Sequence, residues 1–87
     1  MISWLKGQII HSWQQSSKKG VTLNVGGIGY EVQLLPKQIC NMDNTNVKEF
    51  WIHQINREDS TNLYGFKEVD QRDLFRIIIS INGIGPQ

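Results

Sequence analysis

Apolar and polar positions alternate over roughly the first two thirds of the chain, and then the period changes once. Residues 1–12 (MISWLKGQIIHS) form a β-type run carrying Ile2, Trp4, Leu5, Ile9 and Ile10, with Gly7 in its middle. A glycine inside a strand marks a bulge or a sharp bend, which a small barrel needs. Residues 13–20 (WQQSSKKG) read as a polar connection. Val21, Leu23 and Val25 then share one face of a second strand. Gly26-Gly27 is a tight-hairpin signal, and Tyr30, Val32 and Leu34 alternate on the return strand. Pro36 ends that strand, and the Asn- and Asp-rich stretch to Asn46 is a loop or a short helical turn. Residues 47–55 (VKEFWIHQI) make a fourth strand, 57–60 (REDS) a turn, and 61–66 (TNLYGF) a fifth strand. Short strands with sharp bends predict a mainly β chain, a five-stranded OB-fold barrel, because closure removes exposed sheet edges at this size.

Beyond residue 66 the spacing becomes helical. Leu74, Ile77, Ile78 and Ile81 fall at i, i+3, i+4 and i+7, and Phe75 and Ile79 widen the stripe. Asp70 and Asp73 sit in the early turns, where the positive helix end favours them. Arg72 and Arg76 are expected to face away from the barrel. The run Ile77–Ile79 exceeds what one helix face needs, so cover on two sides is expected, by the barrel and by something further. The predicted organisation is an OB-fold domain over residues 1–66 and, over 67–87, a helix that opens a truncated helix-hairpin-helix domain.

Composition narrows the function classes. A chain of 87 residues is one small domain, and at this size it buries only about 60–65% of its unfolded surface. The formal net charge of +1, with scattered basic residues, argues against strong duplex binding through bulk charge. Cys40 is the single cysteine, so no internal disulfide forms. It reads as structural, since nothing near it in the sequence would stabilise a thiolate. His11 and His53 stand apart, without zinc spacing. No apolar run is long enough for a signal peptide or a membrane span, so a reduced, cytoplasmic setting is expected. No acid/base, nucleophile or metal set is apparent, so neither an enzyme nor a cofactor is expected.

Two short motifs carry candidate chemistry. Asn82, Gly83, Ile84, Gly85 and Pro86 follow the apolar helix directly. Helix then Gly-x-Gly-Pro is the first half of a helix-hairpin-helix, whose glycines let backbone amides approach a phosphate. The plain alternative is a helix cap, with Gly83 at C′ and Pro86 as a stop. Arg57-Glu58-Asp59 sits where a hairpin turns. A solvated turn is the plain reading. The other is repulsion, since carboxylates near a polyanion push phosphates away by about 1 kcal/mol per close pair in water. A rigid tip could hold strands apart in this way, and Arg57 could balance the charge or contact phosphate.

The remaining features are weaker. Trp4, Trp13, Phe50, Trp51, Tyr64 and Phe66 are read mostly as core, with Trp13 the best candidate for exposure and base stacking. Lys18-Lys19 is a solvated pair or a phosphate contact. Gly26-Gly27-Ile28-Gly29 is no dinucleotide loop, because no helix follows it.

Together these residues resemble the RuvA family, the Holliday-junction-binding subunits of bacterial branch migration. The resemblance runs in order through MISWLKGQII, VTLNVGGIGYEV, REDSTNLYGF, DLFRIIISI and NGIGP. It implies an OB-fold domain, a domain with two helix-hairpin-helix motifs and a mobile C-terminal domain that binds the RuvB motor. It implies homotetramers on four-way junction DNA in recombination, repair and the SOS response to DNA damage, with ATP hydrolysed in RuvB and with the RuvC resolvase as a possible further partner. Glu58 and Asp59 match the family's acidic pin, and residues 82–86 its first phosphate-binding hairpin. Three positions depart from the pattern: Gln87 stands where a lysine is usual, and Ser3 and Trp4 replace Gly and Arg. The chain is expected to be a fragment lacking most of the DNA grip. The rival expectations are an OB-fold that stacks single strands and a self-assembly module.

Overall fold

A computed structural model describes residues 1–35 and 47–82. The expected loop at 36–46, with Cys40, and the terminal hairpin residues Gly83, Ile84, Gly85 and Pro86 lie outside the described residues. The elements are β1 (Trp4–Gln15), β2 (Lys18–Val25), β3 (Ile28–Leu34), β4 (Val47–Arg57), β5 (Ser60–Phe66) and the helix α1 (Val69–Asn82). The strands close in the order β1-β2-β3-β5-β4. All neighbours are antiparallel except β3 and β5, which pair in parallel over three residues. This is the expected OB-fold barrel.

One strand serves two partners. β1 pairs with β4 from Trp4 to Gln8 and with β2 from Gln8 to Gln15. Gly7 stands at this change of partner, and a Cβ there would collide with the Asn24 carbonyl. At Gly7 the structure shows a close backbone approach, with no register slip in the β1–β4 pairing. The bulge itself falls three residues later, where the register slips between Ile9 and His11. The polar connection expected at 13–20 is a correction. Trp13, Gln14 and Gln15 continue β1, β2 begins at Lys18, and only Ser16 and Ser17 turn. Ser16 takes φ 57° to do so. At the next hairpin both Gly26 (φ 61°) and Gly27 (φ 89°) need positive φ, and Asn24 Oδ1 accepts from the Gly27 N–H at 2.9 Å.

Alternate residues of all five strands point inward. Ile9, Val21, Leu23, Val32, Phe50 and Ile52 are almost fully buried. Gly65 keeps the β3–β5 seam tight, since a Cβ there would meet Val32 Cγ1 at 2.5 Å. Phe50, Tyr64 and Phe66 are core, as expected. Trp13 is not exposed but half-buried, and Trp4 is the tryptophan most open to solvent.

Helix α1 corrects a second expectation. The aliphatic residues Leu74, Ile77, Ile78 and Ile81 are exposed. The face that meets the barrel carries Arg72, Phe75, Arg76 and Ile79. Phe75 fills the contact, with its ring centroid 5.1 Å from Phe66, 5.7 Å from Tyr64 and 5.7 Å from His53. Arg72 lies over Trp51, 5.3 Å from the ring centroid, and donates to the Ser3 carbonyl at 3.0 Å. Arg76 donates to His53 Nδ1 at 3.0 Å and to the Ile52 carbonyl at 3.3 Å. Both arginines therefore cover the barrel with their stems and donate to its backbone carbonyls with their heads. At the start of α1 the Gln71 side chain accepts from the Glu68 N–H at 3.1 Å, one half of a capping box.

Candidate functional site

The β4–β5 hairpin projects the acidic pair. Arg57 and Ser60 are the closing partners, and Glu58 and Asp59 form the two-residue turn between them. Neither takes positive φ among the described residues, so this turn does not require glycine and admits two carboxylates. Arg57, Glu58, Asp59 and Ser60 are all exposed. The structure thus brings together the three tip residues singled out from sequence. Arg57 also acts inward: burial raises the Tyr64 hydroxyl above its ordinary pKa, and the Arg57 charge pulls it the other way.

The neck below the tip is braced by side chains that the sequence reading passed over. Asn56 Oδ1 accepts from Gln54 Nε2 at 2.8 Å and from Thr61 Oγ1 at 3.1 Å, so it links both strands of the hairpin. Gln54 Oε1 in turn accepts from the Ile2 N–H at 2.7 Å. A continuous set of polar contacts thus runs from the N-terminal residues to the base of the tip. Alternation in VKEFWIHQI marks a strand but cannot reveal cross-strand amide pairing. The sole available cue was that Gln54, Asn56 and Thr61 lie close to the turn.

His53, which has no zinc spacing in the sequence, meets α1 instead. Its ring accepts from Arg76 and meets Phe75 edge-on. Desolvation lowers its pKa, and the charges of Arg76 and Arg72 lower it further. Of the terminal hairpin, the structure describes only that α1 reaches Asn82. Among the described residues no group of His, Cys, Asp and Glu could hold a metal ion, and no helix is long and apolar enough to cross a membrane.

A closed OB-fold barrel with an acidic two-residue tip and a helix docked on its β4–β5 side defines a class of module. The family model described as "RuvA N terminal domain" matches residues 1–65, and the chain belongs to the RuvA family. It is 70% identical over its whole length to a "Holliday junction branch migration complex subunit RuvA" of Prochlorococcus marinus strain NATL1A, covering 39% of that protein. It is 46% identical to the protein of that name from strain MIT 9313, again covering 39% of it. For the protein of that name from Synechococcus sp. strain WH7803 the identity is 44%, with 40% of it covered. The chain thus spans about two fifths of the length of these relatives.

Proposed function

We propose that this chain supplies the barrel and acidic pin of a non-catalytic subunit that binds Holliday junctions. The observation that carries the reading is the exposed Glu58-Asp59 turn on a braced hairpin, in a chain whose relatives are named as branch migration subunits. Residues 1–66 act as the OB-fold domain, and 67–87 open a helix-hairpin-helix domain. Backbone amides at residues 82–86 bind phosphate, and most of the grip lies in segments that continue past this chain in its relatives. Four subunits surround an open four-way junction, and RuvB, the ATP-driven motor, moves the arms.

In this reading the pin works by charge and shape. Two carboxylates at the crossover repel the phosphates of strands that would otherwise pair across the centre. The barrel and the Asn56 brace hold the tip in place, so repulsion moves the DNA rather than the loop. Arg57, one residue before the carboxylates, offers a phosphate contact that keeps a separated strand near the pin.

The test is a titration at stated salt, because phosphate contacts make affinity salt-dependent. The full-length protein and the 87-residue chain are each offered a synthetic four-way junction, with linear duplex of matching sequence as competitor. Preference for the junction by the full-length protein, with little affinity in the chain alone, is expected. Equal affinity of the full-length protein for junction and duplex would overturn the reading.

A further inference from the structure

The barrel carries a second feature that the pin does not use. β3 and β5 pair only from Val32 to Leu34 and from Leu63 to Gly65, so their first residues diverge. A cleft of about 350 Å³ lies between that divergence and the β1–β2 hairpin. Trp13, Lys18, Glu31, Gln33 and Asn62 line it, together with Gln14 and Gln15. Thr61 and Asn62 reach its wall two and three residues after Asp59, so the cleft adjoins the neck of the pin.

Its chemistry is specific. Among the described residues, the side chains of Gln33, Asn62, Glu31 and Lys18 form no hydrogen bond or ion pair with one another. Carboxamides both donate and accept, which suits the edge of a nucleobase. The Trp13 ring packs against Gly20, where a Cβ would stand 2.5 Å from it, so the absence of that Cβ creates its seat. Its Nε1 is buried and has no partner among the described residues. The volume is at the small end for a ligand site, enough for one base and too small for an extended ligand. Glu31 would repel a phosphate, so the backbone belongs at the Lys18 end and the base beside Glu31.

We propose that this cleft binds one unpaired nucleobase of a DNA strand, with Gln33 and Asn62 reading its edge and Lys18 meeting its phosphate. The inference rests on the pin reading only for the source of the base, a nucleotide unpaired at the crossover. Glu31 accepts from an exocyclic amino group, which cytosine carries and thymine lacks.

The experiment follows the side-chain N–H signals of the 87-residue chain by nitrogen–proton NMR during titration with short oligo-dC and oligo-dT. The indole signal of Trp13 is assigned by its loss in Trp13→Phe. Oligo-dC is expected to shift that signal and the amides of Gln33 and Asn62, while the Trp4 and Trp51 indoles stay still. Asn62→Ala should weaken oligo-dC binding about tenfold, and Glu31→Gln should narrow the difference between oligo-dC and oligo-dT. Unmoved cleft signals, or shifts confined to lysines and arginines elsewhere, would overturn the proposal. Glu58→Gln with Asp59→Asn separates the two readings. Cleft binding that persists while junction opening is unaffected by that pair defeats the pin reading alone. A junction effect without cleft binding defeats this inference alone.

Discussion

Arg76 Nε donates to His53 Nδ1 across 3.0 Å, one of the contacts that join α1 to the middle of β4. Because Nδ1 accepts, the ring is neutral with its proton on Nε2. Burial, then Arg76, then Arg72 lower its pKa below the ordinary 6.5. The unfolded chain therefore takes up this proton at a higher pH than the folded one. The contribution of neutral His53 is fully present above about pH 6.5 and is lost as pH falls through the lowered folded value. Thermal unfolding at neutral and mildly acid pH should show a lower midpoint in acid, and His53→Gln should shrink that difference. An equal difference in the variant would place the acid sensitivity elsewhere.

The two faces of α1 predict opposite outcomes. Phe75 touches Phe66, Tyr64 and His53, whereas Ile81 is 75% exposed. Phe75→Ala should cost about 2 kcal/mol, less than a fully buried phenylalanine because this one is half-buried. Ile81→Ser should change the stability of this chain by no more than about 0.5 kcal/mol. Urea unfolding of the 87-residue chain measures both. A larger loss from Ile81→Ser would show that the helix docks by its aliphatic face.

Asn56 ties the neck of the β4–β5 hairpin through two hydrogen bonds, at 2.8 Å to Gln54 and 3.1 Å to Thr61. Asn56→Ala removes both at an exposed position, so the expected stability change is small, about 0.5–1 kcal/mol. The effect should appear locally instead, as faster amide hydrogen exchange from Asn56 to Thr61 with the barrel core unchanged. Exchange at the tip equal to that of the wild type would mean the backbone ladder alone holds the hairpin.

The barrel was legible in the sequence because each inward position announces itself. Val21, Leu23 and Val25 alternate, Gly26-Gly27 permits only a tight turn, and Glu58-Asp59 interrupts two apolar runs. The extension of β1 through Trp13, Gln14 and Gln15 was not legible, because a hairpin arm open to solvent needs no apolar alternation. The docking face of α1 was read in reverse for a related reason. Periodicity finds an apolar stripe but does not say what it meets. The barrel offers Trp51, His53 and backbone carbonyls at Ser3 and Ile52, and these favour Arg72, Phe75 and Arg76 over Leu74 and Ile77. The acidic tip was found from its position between strands. Its brace depends on pairs such as Asn56 and Thr61, which become neighbours only when the hairpin closes.

The central claim is that Glu58 and Asp59 shape a crossover by charge. The most direct measurement places a fluorescent base analogue at the centre of a four-way junction bound by the full-length protein, with and without Glu58→Gln and Asp59→Asn. Removing both charges conserves the shape of the tip and removes about 1 kcal/mol of phosphate repulsion per close pair in water. The account predicts that the variant binds the junction as tightly or more tightly, while the central bases are less unstacked and motor-driven branch migration changes in rate. Unchanged opening together with an unchanged rate would contradict it and leave the acidic pair as a solvated turn.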